Sequence, residues 1–164
     1  MTHRNDSISQ KNGKINMGDK MMLNNNIKYC REELEMTQEE LGYVFGVTGA
    51  TVSGWENNND TMPLPKMVKF ANMYHYSLDY ITGLSRKNEY EVIKKLDKKI
   101  VGAKLKALRK KLRLTQKQIA DECMITQQSY SLYENGKTLV TSLVLYTICY
   151  NHKLSICLLY TSDA

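Results

Sequence analysis

The sequence predicts an all-α protein built as two copies of one five-helix bundle joined by a short linker, and three observations carry that expectation. One offset of 78 residues, from Thr37 to Thr115, superimposes two long stretches of the chain. Apolar residues within those stretches recur near helical spacing, and threonines stand where helical runs begin while Gly136 stands where one ends. Under the constant offset Arg31 meets Arg109, Leu34 meets Leu112, Leu41 meets Ile119, Val47 meets Ile125 and Ser53 meets Ser131. Trp55 meets Tyr133, Glu56-Asn57 meets Glu134-Asn135, Phe70 meets Ile148, Leu78 meets Ile156 and Ile81 meets Leu159. The organisation that follows is a flexible polar tail over 1–23, a first domain over 24–84, a linker over 85–97 and a second domain over 98–164. The last eight residues, CLLYTSDA, read as the in-frame translation of a library adapter, so functional argument stops near Ile156, although Leu158 and Leu159 still fit the apolar pattern.

The elements follow in order. In the first copy the helices are expected over Ile27–Leu34, Gln38–Phe45, Gly49–Asn57, Lys66–Tyr74 and Leu78–Ile81. The linker SRKNEYEVIKKLDKK is mixed in charge and reads as short helical or irregular structure. In the second copy Ile100, Leu105, Leu108 and Leu112 form an apolar stripe, with Lys104, Lys106, Lys110 and Lys111 mostly on the other side. Thr115 caps a helix from Gln116 whose inner face is Ile119, Ala120 and Cys123, because a threonine hydroxyl accepts from the free amides of a first turn. Thr126 caps the next, Gln127–Asn135, with Tyr130 and Tyr133 facing inward and Gly136 closing it in left-handed geometry. Leu139 to Leu159 holds one or two further helices.

Composition excludes several function classes. With 42% hydrophobic and 24% charged residues the chain reads as a soluble globular protein. The apolar run 139–150 is too short and too interrupted to span a bilayer, and the N-terminus lacks a secretory apolar segment, so a cytoplasmic protein without membrane contact is expected. Cys30, Cys123, Cys149 and Cys157 are scattered, and His3, His75 and His152 stand alone, which gives no metal-ligand spacing and no disulfide framework. No phosphate-binding glycine loop and no nucleophile with a base stands out, so neither a cofactor nor an enzyme is expected.

The stretches REELEMTQEELGYVFGVTGATVSGWENN and RKKLRLTQKQIADECMITQQSYSLYENGK, with SLDYITG at 77–83, resemble the Cro/CI, or XRE-type, helix-turn-helix domain, and TQQS followed by YENGK is similar to the recognition helix of lambdoid phage repressors. The resemblance covers nearly all of each copy and implies lambda-repressor-like bundles that bind double-stranded DNA. It implies a transcriptional regulator, expected as a repressor of a bacterial or phage promoter. A recognition helix lies in the major groove with its N-terminal residues at base edges, which on this chain are Gln127, Gln128, Ser131 and Leu132, with Thr51 and Ser53 in the first copy. A glutamine amide both donates and accepts, matching adenine N6 and N7. Phosphate contacts are carried over to Gln116, Asn135, Gly136 and Lys137, and to Gln38, Asn57 and Asn58. Arg31 with Glu56 and Arg109 with Glu134 take the positions of a structural ion pair. Leu132 departs from the polar residue those repressors carry, so their operator does not transfer.

The copies differ in charge. Residues 24–84 hold four Lys/Arg against eight Asp/Glu, whereas residues 98–156 hold eleven against three, so the second copy is expected to dominate DNA affinity. Two readings of the first copy stay open: weak contact with a second half-site, towards which the sequence leans, or a shift towards protein contacts, including homodimerisation or an antitoxin-like partner.

Overall fold

Ten helices run through residues 23–161, the part of the chain that the computed structural model describes, and no strand occurs among them. The first copy comprises α1 (Ile27–Glu33), α2 (Gln38–Phe45), α3 (Gly49–Glu56), α4 (Leu64–Tyr74) and α5 (Leu78–Thr82). The second comprises α6 (Lys98–Lys111), α7 (Gln116–Glu122), α8 (Gln127–Glu134), α9 (Ser142–His152) and α10 (Leu158–Thr161). The expected tail lies outside the described residues, except for Leu23, which is buried in the core.

The repeat extends to backbone detail. Left-handed φ angles occur in pairs that the same offset relates: Glu35 and Arg113, Gly46 and Met124, Asn58 and Gly136, His75 and Lys153. Each pair ends or follows a helix, where a left-handed residue turns the chain and lets orphan carbonyls be satisfied. The helix starts match as well. Thr37 accepts from the Glu40 amide and Thr115 from the Gln118 amide, each completed as a capping box by the side chain at the third helical position.

Each copy buries its own apolar face. Trp55, Phe45 and Phe70 meet edge to face in the first, with ring centroids 6.2 and 5.9 Å apart, and Tyr130 and Tyr133 meet edge to face in the second. Cys30, Cys123 and Cys149 are buried, and burial pushes each thiol up to about 12, so they serve as small apolar residues. Two expectations are corrected. Ile100 is 53% exposed, and Val101, one position on, takes its place on the inner face of α6 beside the expected Leu105 and Leu108. Gly102 lies on that inner face, where an added Cβ would stand 2.2 Å from the Tyr133 carbonyl oxygen, so α6 and α8 approach backbone to backbone. Second, α4 begins at Leu64 rather than Lys66, because Pro65 falls in a first turn that needs no amide hydrogen from it.

The linker is irregular and strapped to the first copy. Asn72 on α4 donates to the Ile93 carbonyl and accepts from the Ile93 amide, at 3.0 Å each, and Ile93 is buried. Tyr90 stacks on His75 with centroids 4.8 Å apart, and Asn88 bonds both His75 and Ser77. Asp97, four residues beyond Ile93, then caps α6. The copies also touch directly. Ser142 Oγ donates to the Met62 carbonyl at 2.7 Å, and Asp79 accepts from Ser155 Oγ at 2.5 Å and from the Ile156 amide at 2.7 Å.

Candidate nucleic-acid interface

The turn between α7 and α8 is built by local chemistry. Met124 takes φ 55°, the Ile125 amide donates to the Ala120 carbonyl, and Thr126 caps α8 by accepting from the Ser129 amide at 3.1 Å. That cap also fixes which residues face out: Tyr130 and Tyr133 are buried, whereas Gln127 and Gln128 are exposed on the first turn and Leu132 is 45% exposed one turn on. Ser131 is half-buried and accepts from Asn135 Nδ2 at 3.2 Å, so these two residues share one hydrogen bond at the end of α8. Gly136 is buried at φ 66°, and a Cβ there would stand 2.8 Å from Lys99 Cα, which makes it a helix terminator. Lys137 is exposed, and its carbonyl accepts from Lys98 Nζ.

A buried network holds this helix to the rest of its bundle. Arg109 Nε donates to Glu134 Oε1 at 2.5 Å and its Nη2 to Oε2 at 3.2 Å, while Nη1 donates to the Leu114 carbonyl. Gln116 Nε2 donates to Glu134 Oε2 at 2.9 Å. Burial pushes the Glu134 carboxyl up, but hydrogen bonds from Arg109 and Gln116 and the charge of Arg109 outweigh it and hold the group below the usual carboxylate range. The first copy repeats the network with Arg31, Glu56, Gln38 and the Met36 carbonyl. Gln116 and Gln38, read from sequence as phosphate contacts, therefore each commit one amide hydrogen to fixing the end of α8 and of α3 respectively. The signal for this was present, since Gln116 and Glu134 repeat at the same spacing as Gln38 and Glu56.

The corresponding surface of the first copy is nearly bare. Gly49, Ala50, Ser53 and Gly54 occupy the positions of Gln127, Gln128, Ser131 and Leu132. Thr51 belongs to the cap, its Oγ1 lying 3.1 Å from Thr48 Oγ1, and Ser53 accepts from Asn57. Asn58 has φ 57° and is bonded by Asn25, so it serves as the counterpart of Gly136. An added Cβ at Gly54 meets nothing closer than 3.9 Å, so packing does not require a glycine there. Electrostatics follow the same division. Of the first copy's four cations, Arg31 is paired with Glu56, and Lys66 and Lys69 donate to the Phe45 and Val44 carbonyls at the end of α2. The first turn of α2 carries Glu39 and Glu40 where α7 carries Lys117 and Gln118. In the second copy Lys106, Lys110, Lys111, Arg113, Lys137 and Lys153 are exposed.

No group of residues among those described could hold a metal ion, and no helix among them is long and apolar enough to cross a membrane. Comparison with known proteins finds the helix-turn-helix family twice in the chain, over residues 27–81 and 105–149. A Bacillus subtilis (strain 168) protein named uncharacterized HTH-type transcriptional regulator YobD is 32% identical over 79 residues, covering 43% of this chain and 70% of the relative. No solved structure matches the chain significantly. The two matched segments fall on α1–α5 and on α6–α9, and the chain belongs to the helix-turn-helix family, XRE type, in both of its halves.

Proposed function

We propose that this protein is a sequence-specific double-stranded DNA-binding regulator of transcription, reading the major groove with the second copy and acting as a repressor by occupying an operator against polymerase. The observation that carries the reading is the pair of exposed amides, Gln127 and Gln128, on the first turn of a helix capped by Thr126 and anchored by Glu134. Exposure alone says little, since glutamine fills many solvated helix positions. Its weight here comes from the family and from the place in the motif, where first-turn residues meet base edges. Ser131 and Leu132 extend the same face, Leu132 offering an apolar contact to a thymine methyl. Lys137 and the free groups of Gln116 and Asn135 neutralise or bond phosphates and fix position rather than sequence. The mechanism needs no covalent chemistry.

The test is selection of bound duplex from a random pool, repeated with Gln127→Ala/Gln128→Ala. The intact chain is expected to enrich a motif. The double variant should relax preference at one or two base pairs, each lost bidentate contact being worth about 1 to 3 kcal/mol of discrimination. Absence of any enriched motif would sink the proposal, and uniform weakening on every sequence would reduce the glutamines to positioning groups.

A further inference from the structure

The contacts between the copies have the form of a two-fold interface. In such an interface one surface patch meets its own equivalent, so that if residue i touches j, then j touches i of the other copy. Met62 of the first copy receives a hydrogen bond from Ser142, the counterpart of Leu64. A cavity of about 510 Å³ beside this contact is walled by Thr61, Pro63 and Leu64 and, from the other side, by their counterparts Leu139, Thr141 and Ser142. Asp79 on α5 likewise meets Ser155 and Ile156, the counterparts of Ser77 and Leu78 at the start of that same helix. The same patch, at the start of α4 and the start of α5, is thus used on both sides. The linker adds little slack, because Ile93 is anchored to α4 and α6 is capped four residues later.

We infer that the acidic first copy is an internal protein partner of the second: it occupies the second copy's self-complementary patch in a pseudo-two-fold pair and supplies no DNA half-site of its own. The inference rests on the DNA-reading function proposed above for α8. Its electrostatic side is the first copy itself, where Glu39 and Glu40 stand in place of Lys117 and Gln118 and three of four cations are engaged internally. Its steric side is α3, where the positions matching Gln127, Gln128, Ser131 and Leu132 carry glycine, alanine, serine and glycine. One chain therefore binds one half-site, and the patch through which two second copies would pair is filled by the first. The pseudo-two-fold relation also gives α3 a definite place. The α3 helix ends five residues before Thr61 and α8 ends five before Leu139, so each helix end lies within roughly 18 Å of the cavity. That reach accommodates recognition helices one DNA turn apart, about 34 to 36 Å.

The experiment uses the full chain, the half-site that it enriches from a random pool, and palindromes built from two such half-sites. The wild type should bind a palindrome with centres about 10 base pairs apart no more than about threefold better than a single half-site, a margin that allows the twofold statistical factor of two sites, and native mass spectrometry should find one chain on that palindrome, because the first copy stands over the second half-site. The variant Glu39→Lys/Glu40→Gln/Ala50→Gln gives the first copy the groups that the second has at those positions. It should gain tenfold or more on that palindrome and lose the gain when five base pairs are inserted, since the second half-site then faces the opposite side of the duplex. Wild-type preference for the palindrome beyond that margin overturns the inference by making the first copy a DNA reader. A variant that gains equally at both spacings, or at neither, overturns the fixed pairing of the copies. Failure to enrich any half-site removes the function beneath the inference and the inference with it, whereas each of the other outcomes leaves that function standing.

Discussion

Removing Arg109 tests how α8 is held. Arg109→Met keeps the aliphatic stem but strands Glu134, whose side chain is 0% exposed and whose two oxygens accept from Arg109 and Gln116. Breaking one side of such a buried pair costs about 3 to 5 kcal/mol, most of it the uncompensated charge. At about 0.05 to 0.15 kcal/mol per residue, a bundle of roughly 60 residues has a total stability of about 3 to 9 kcal/mol, so the loss takes much or all of it. The sign with pH separates this cause from lost packing. In the wild type the folded carboxyl titrates below its unfolded value, so its contribution is full above the unfolded value, about 4.3, and fades as pH falls through the lower folded one. In Arg109→Met the upward push of burial loses its main opponent, and protonation relieves the stranded charge. The deficit relative to wild type should therefore be smaller at pH 5 than at pH 7.5. Urea unfolding followed by far-ultraviolet circular dichroism measures it, while Trp55, the one tryptophan of the chain, reports on the first copy. Arg109→Met/Glu134→Met, an apolar pair of similar volume, should recover most of the loss. A deficit below about 1 kcal/mol, or one that grows towards acid, would refute the reasoning.

Further outcomes follow from the same geometry. Gly102→Ala drives a methyl to within 2.2 Å of the Tyr133 carbonyl oxygen and should cost about 1 to 3 kcal/mol in chemical denaturation, whereas Gly54→Ala, inside α3 with open space around it, should raise stability by about 0.5 to 1 kcal/mol through helix propensity. Thr126→Ala removes the hydroxyl that accepts from the Ser129 amide and should cost about 1 kcal/mol in thermal or urea unfolding. Lys137→Gln should lower the salt slope of DNA affinity by about 1 while leaving base preference unchanged, measured by titration of one duplex at several salt concentrations.

Much of the fold was legible because each helix carries its own boundary chemistry. Thr37, Thr115 and Thr126 mark starts, Gly136 marks an end, and the constant offset lets each copy check the other. The α6 stripe went astray at its first residue because Ile100 and Val101 are both apolar, and periodicity alone does not say which faces the neighbour. Gly102 decides it, since only the face bearing a hydrogen in place of a side chain can approach the Tyr133 backbone. At the candidate interface the outward glutamines were legible from their distance to the cap. The engagement of Gln116 with Glu134 left only its repeated spacing as a signal, and that of Lys66 and Lys69 with the end of α2 left none, because those last bonds join residues 21 and 25 apart through packing.

By itself, then, the sequence determined a duplicated helical unit, its caps, its charge asymmetry and its family resemblance, all of which are local or repeat at one spacing. Only the tertiary structure decided how the copies meet. Asp79 reaches Ser155 and Ile156, and Ser142 reaches Met62, across 76 to 80 residues of chain, and no pattern of periodicity or capping encodes contacts that depend on two finished surfaces fitting each other.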